Sequence, residues 1–163
     1  MLSEASLAEI ARERAKYPPE RARSALLAAL RIAQAEHGYL PETLVEYVAG
    51  LLELPAIQAF EVATFYSMYD LRPVGKYKFC VCGSVSCFLN GSDGILAHLQ
   101  ERLGVGLGET TPDGLFTIAE VECLGACKDA PVMQLGDRYV ETLTPESLDV
   151  LIGQLRGGRD DVR

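Results

Sequence analysis

Over residues 1–71 the apolar positions recur at three- and four-residue intervals, the spacing of helices that bury one face. Leu7, Ile10 and Ala11 mark one side of a first helix, with charges filling its other faces up to Lys16. The stretch "YPPE" at Tyr17–Glu20 breaks that pattern. A longer helix is expected from Ala22, where Leu26, Leu27, Leu30, Ile32 and Ala33 give a wide apolar stripe. Gly38 in "HGYLP" stands where a left-handed cap would end it. "ETLVEYVAGLLE" (Glu42–Glu53) predicts a short third helix. Pro55 suits the first turn of a fourth, running through "PAIQAFEVATFYSMY" to Tyr69. These four segments predict a helical bundle or a pair of helical hairpins.

After "RPVGK" (Arg72–Lys76) the pattern changes. Lys76–Cys82 reads as a strand, followed by a loop to Gly91 and a helix from Asp93 to Leu103. A second strand is expected over Phe116–Glu122. Next come a loop over Cys123–Pro131 and a hairpin of Val132–Leu135 with Arg138–Leu143, turning at Gly136–Asp137. Thr144 as N-cap and Pro145 at the first helical position begin a last helix, which runs to about Leu155. The order β-α-β-β-β-α predicts a thioredoxin-like domain: one βαβ crossover, a hairpin and a covering helix. The fold class is therefore α+β, with a helical domain over 1–71, a thioredoxin-like domain over 76–156 and a frayed tail over 157–163.

Composition narrows the partners. The chain has 163 residues, 48% of them apolar and 23% charged, which suffices to bury a core. A net charge of −8 argues against nucleic acid and against an anionic membrane surface, both of which need a basic face. The N-terminal "MLSEASLAEIARERAKYPPE" has no apolar core of a signal peptide, and its glutamates argue against a transit peptide. No apolar run is long enough to span a membrane. A cytoplasmic location follows as the expectation, and there grouped cysteines point to metal or redox chemistry rather than disulfides.

The five cysteines carry the candidate chemistry. "FCVCGSVSC" holds Cys80, Cys82 and Cys87; "ECLGACKDAP" holds Cys123 and Cys127. Cys82 and Cys87 follow the first strand, and Cys123 and Cys127 follow the second. In a parallel βαβ crossover those two strand ends lie at one edge of the sheet, so the loops would meet and offer four thiolates. Zinc accepts four cysteines, with knuckles from C-x2-C to C-x4-C. A [2Fe–2S] cluster also takes four, with two thiolates on each iron. The small residues Gly83, Ser84, Ser86, Gly125 and Ala126 leave room for the larger group. A thiol redox motif would need C-x-x-C at a helix start, which is absent. Spacing alone leaves iron–sulfur and zinc open. Cys80 alternates with Cys82 on the strand and reads as a buried core thiol, although a register using Cys80 in place of Cys82 is compatible with the spacing.

Other motifs reduce to packing or loops. "GVGLGE" (Gly104–Glu109) lacks G-x-G-x-x-G and follows a helix rather than opening one, so it reads as a loop. His37 at a helix end and His98 inside a helix are poor ligand candidates. "EVATFYSMY" (Glu61–Tyr69) at helical spacing reads as packing surface. No catalytic residue is assigned to this chain.

"EVATFYSMY", C-x4-C at Cys82–Cys87 and C-L-G-x-C-x-x-A-P at Cys123–Pro131, taken in this order, resemble the 24-kDa, or E, component of respiratory complex I, NADH-quinone oxidoreductase. The likeness covers nearly the whole chain. It implies a thioredoxin-like [2Fe–2S] ferredoxin domain behind N-terminal helices. It also implies Cys82, Cys87, Cys123 and Cys127 as the cluster ligands, with Cys80 outside the set. The implied role is electron transfer within an oxidoreductase complex, without catalysis by this chain alone. The implied partner is the F subunit, which holds FMN, the NADH site and a [4Fe–4S] cluster, together with further peripheral-arm subunits on the cytoplasmic side of a bacterial inner membrane. A homologous diaphorase subunit of a soluble NAD(P)-linked hydrogenase or formate dehydrogenase carries the same motifs. From another class, a zinc-stabilised interaction module would be colourless where the ferredoxin is red-brown.

Overall fold

The computed structural model describes residues 1–158. They divide into two compact units, Met1–Pro73 and the chain from Val74 onward.

The first unit holds α1 (Glu4–Ala15), α2 (Leu26–His37), α3 (Glu42–Leu51) and α4 (Ala56–Phe65). Ser3 caps α1, its hydroxyl accepting from the Ser6 N–H. Gly38 ends α2 in the left-handed conformation at φ 91°. The α2 stripe begins later than its apolar pattern implies. Pro19–Ala25 forms a 3-10 stretch in which Arg21 leaves helical geometry, and the α-helix starts at Leu26. Side chains three apart eclipse in a 3-10 turn, so Ala22 and Ala25 are still both buried. Leu26, Leu30, Val45, Val48 and Leu52 centre the core of this unit. Each such buried side chain contributes about 1.5–3 kcal/mol relative to exposure.

α4 stops at Phe65, four residues short of the expected Tyr69, because Tyr66 turns extended at ψ 120°. Tyr69 then folds back into the core and donates a 2.8 Å hydrogen bond to the Leu27 carbonyl. Its burial pushes the phenol pKa up to about 12. "EVATFYSMY" is accordingly packing surface only in part. Ala63 and Tyr69 are buried, whereas Phe65 is 79% and Met68 52% exposed.

The second unit is a four-stranded sheet of β1 (Tyr77–Cys82), β2 (Phe116–Val121), β3 (Met133–Leu135) and β4 (Arg138–Val140), in the order β2-β1-β3-β4. β1 and β2 are parallel; β1–β3 and β3–β4 are antiparallel. Its helices are α5 (Val85–Leu89), α6 (Ser92–Leu103) and α7 (Pro145–Arg156). Thr144 and Ser147 close a capping box at the start of α7. Tyr77, Phe79 and Val81 alternate inward from β1 and pack with Phe116 and Ile118 against the apolar faces of α6 and α7. This is the thioredoxin-like architecture that the element order predicts.

Three local readings change. The stretch expected as a loop up to Gly91 contains the five-residue α5, with Ser84 at its N-cap. β4 ends at Val140 rather than Leu143, because Thr142 turns at φ 51° and donates its N–H to the Asp129 carbonyl. Cys80 is half-buried rather than a core thiol, since the strand's alternation places it on the face opposite Phe79 and Val81, which α6 and α7 do not cover. Of the expected tail 157–163, residues 159–163 lie outside the described residues.

Candidate metal centre

The parallel pairing of β1 with β2 sets Cys82 opposite Val121 at the last rung of the ladder. The chain leaves both strands at that edge, so the two cysteine loops emerge side by side. Cys82, Cys87, Cys123 and Cys127 line one open cleft of about 400 Å³, together with Gly83, Ser84, the first turn of α5 and Glu122. Cys80 does not line it.

The four thiols come as two pairs. Cys123 and Cys127 approach with their sulfurs 3.5 Å apart, both exposed at the rim. Cys82 and Cys87 are hydrogen-bond partners and lie buried beside Val132. Among the described residues, no group of three or more His, Cys, Asp or Glu side chains surrounds a single point as one metal ion requires. Two thiol pairs across one cleft suit a rhomb with two thiolates on each iron better than a single tetrahedral zinc.

Backbone N–H groups converge on the sulfurs. Gly125 donates to Cys123 Sγ at 3.4 Å, from a left-handed conformation at φ 79°. Burial raises the Cys82 thiol pKa, but donation from the Ser84 and Leu124 backbone N–H groups, then from the Cys87 and Ser84 side chains, outweighs it and leaves the pKa below the usual thiol value. The Leu124 contact crosses from one loop to the other. Cys87 is shifted the opposite way, first by burial and then by the adjacent Cys82, against donation from the Val132 N–H.

The second loop is held from outside. The Tyr139 hydroxyl donates to the Leu124 carbonyl, the Thr142 N–H to Asp129 and the Leu143 N–H to Pro131. Pro131 follows a cis peptide bond and is buried. On the strand side, the Glu120 carboxylate lies where a Cβ on Gly83 would be, and Ser84 Oγ donates to Glu122 Oε2 at 3.4 Å. Motif reading did not single out Glu122 or Tyr139, and it took Ser84 only as a small residue. Glu122 could have been found as the residue next to Cys123, and Tyr139 only from the β3–β4 pairing. His98 is bound to Asp149 of α7 at 3.2 Å, and neither it nor His37 lines the cleft.

Residues 10–156 match the thioredoxin-like [2Fe–2S] ferredoxin family. The chain belongs to that family. Its cofactor is a [2Fe–2S] cluster, and the two thiol pairs fit it. The chain is 50% identical over 142 residues to the E chain of NADH-quinone oxidoreductase from Rickettsia bellii, covering 86% of this chain and 85% of that protein. The corresponding "E 2" chain from Rhizobium meliloti is 47% identical over 148 residues, covering 91% of this chain and 87% of that protein. A crystal structure of an NAD+-reducing [NiFe]-hydrogenase superposes with a TM-score of 0.72 at 22% identity, which establishes shared fold. This chain spans 23% of that longer hydrogenase chain, and the match covers 82% of this one.

Proposed function

We propose that this protein is the [2Fe–2S] subunit of an NADH-quinone oxidoreductase, with Cys82, Cys87, Cys123 and Cys127 as the cluster ligands and with 1–71 and 76–156 as its two domains. The observation that carries the ligand set is the meeting of two thiol pairs in one cleft at the shared strand edge. About half of the aligned residues are identical to those of the Rickettsia and Rhizobium oxidoreductase chains along most of their length, which supports the host complex.

The cluster supplies one-electron storage; the chain supplies its cradle. The β1–β2 ladder fixes the spacing of the loops, and the Leu124 N–H links the second loop to Cys82. N–H donors from Ser84, Leu124, Val132 and Gly125 offset negative charge on the sulfurs, the means by which a protein tunes an iron–sulfur potential. No dinucleotide fingerprint occurs in the chain, which fits a division of labour in which a partner oxidises NADH. That partner is the FMN-bearing F subunit, with which the chain exchanges an electron, on the cytoplasmic side of the membrane. Among the described residues no helix is long and apolar enough to cross a membrane.

Rapid mixing of the chain with NADH, alone and with the F subunit, tests this reading. Reduction of the cluster only when the flavoprotein is present is the expected result. Reduction by NADH at the same rate without it would refute the assigned partner.

A further inference from the structure

Ser84 stands at the N-cap of α5, but its side chain makes no capping hydrogen bond. The hydroxyl turns the other way, toward the cleft. There it donates to Glu122 Oε2 at 3.4 Å, and it lines the same cleft as Cys82, two residues away, whose sulfur is the other acceptor within the loop's reach. A serine hydroxyl carries one proton, so it donates to one acceptor at a time.

We propose that Glu122 competes with Cys82 for the Ser84 hydroxyl proton, and that by drawing this proton away from the sulfur it holds the cluster's reduction potential low. Glu122 is thus a positioning residue that acts through Ser84. The inference rests on Cys82 being a cluster ligand, as assigned above.

The physical basis is the asymmetry between the two redox states. Reduction adds negative charge that spreads onto the ligand sulfurs, so a donor to sulfur stabilises the reduced form and raises the potential. A carboxylate is a stronger acceptor than a cysteine sulfur, and its hydrogen bonds are charge-assisted. With Glu122 in place, the hydroxyl is divided between them. Glu120 provides a built-in comparison. Its carboxylate lies against Gly83 in the same loop and carries the same charge, yet Ser84 Oγ is bonded to Glu122.

Redox titration of the cluster-loaded full chain, followed by EPR, tests the proposal in a double-mutant cycle of Glu122→Ala and Ser84→Ala. Glu122→Ala is expected to shift the potential upward, because the hydroxyl then donates to Cys82 alone. Ser84→Ala is expected to shift it downward. In the Ser84→Ala background, Glu122→Ala is expected to recover only the smaller shift of a lost charge, comparable with that of Glu120→Gln. An upward shift of equal size with and without the Ser84 hydroxyl would overturn the proposal in favour of simple charge, and no shift at all would overturn it outright. Failure of the wild-type chain to hold iron and sulfide would overturn the ligand assignment beneath it, and is visible before any potential is measured.

Discussion

The phenol of Tyr139 on β4 donates a 2.8 Å hydrogen bond to the carbonyl of Leu124, inside the loop between Cys123 and Cys127. Leu124 is also the residue whose N–H reaches across to Cys82. A sheet-edge tyrosine therefore steadies the residue that joins the two cysteine segments.

Tyr139→Phe removes this bond without changing the ring. We expect a stability loss of about 0.5–1.5 kcal/mol, the usual net worth of one such hydrogen bond. The larger effect is expected on the cluster, as faster bleaching of its visible absorption in air or chelator. A bleaching rate equal to wild type would mean that the loop needs no support from β4.

Gly75 is required by contact rather than by φ. A Cβ there would lie 2.7 Å from the backbone of Phe116 and 2.8 Å from that of Leu115, and backbone cannot swing aside as a side-chain tip can. Gly75→Ala is expected to destabilise the protein by about 1–3 kcal/mol, as overpacking does. Denaturant unfolding measures it. A loss within error of zero would show that the start of β1 slides freely along β2.

Glu36 accepts hydrogen bonds from the backbone N–H and the hydroxyl of Ser3, at 2.8 Å and 2.9 Å, tying the start of α1 to α2. The hydroxyls of Ser6 and Ser3, then the Ser3 N–H, hold its pKa below the ordinary carboxylate value. A group with a depressed folded-state pKa contributes stability above its unfolded pKa and loses it as pH falls through the folded one. Amide exchange at Ser3 is thus expected to accelerate only in acid, below the ordinary glutamate range. In Glu36→Gln that acid step should vanish. Persistence of the step would assign it to another group.

Cys80 marks the register of the site. It shares a strand face with Cys82 but is absent from the cleft lining, so Cys80→Ala is expected to leave the cluster's visible and EPR spectra nearly unchanged. Loss of the cluster in that variant would overturn the proposed ligand set.

Much of this fold is written in local patterns. Gly38, and Thr144 with Pro145, announce the end of α2 and the start of α7 through backbone preferences that operate within one turn. The meeting of the two cysteine loops is also inferable, because parallel strands joined by one crossover share an edge. What escaped the sequence depends on tertiary contact. α4 ends at Phe65, and Tyr69 beyond it finds the carbonyl of Leu27, a partner 42 residues away. α5 is a five-residue helix, too short for a periodic signal, and it carries Cys87. The sorting of the thiols into a 3.5 Å pair and a buried pair likewise belongs to the loops in space. Spacing alone leaves zinc in contention.

A [2Fe–2S] cluster held by Cys82, Cys87, Cys123 and Cys127 has a direct chemical test. Iron, acid-labile sulfide and zinc per chain should be measured on anaerobically purified protein, together with the EPR spectrum after dithionite reduction. The wild-type chain and the four single Cys→Ser variants belong in the same experiment. About two irons and two sulfides per wild-type chain with an EPR signal on reduction are expected, and loss or marked alteration of that signal in each variant. About one zinc per chain without sulfide, persisting after cluster reconstitution, would contradict it.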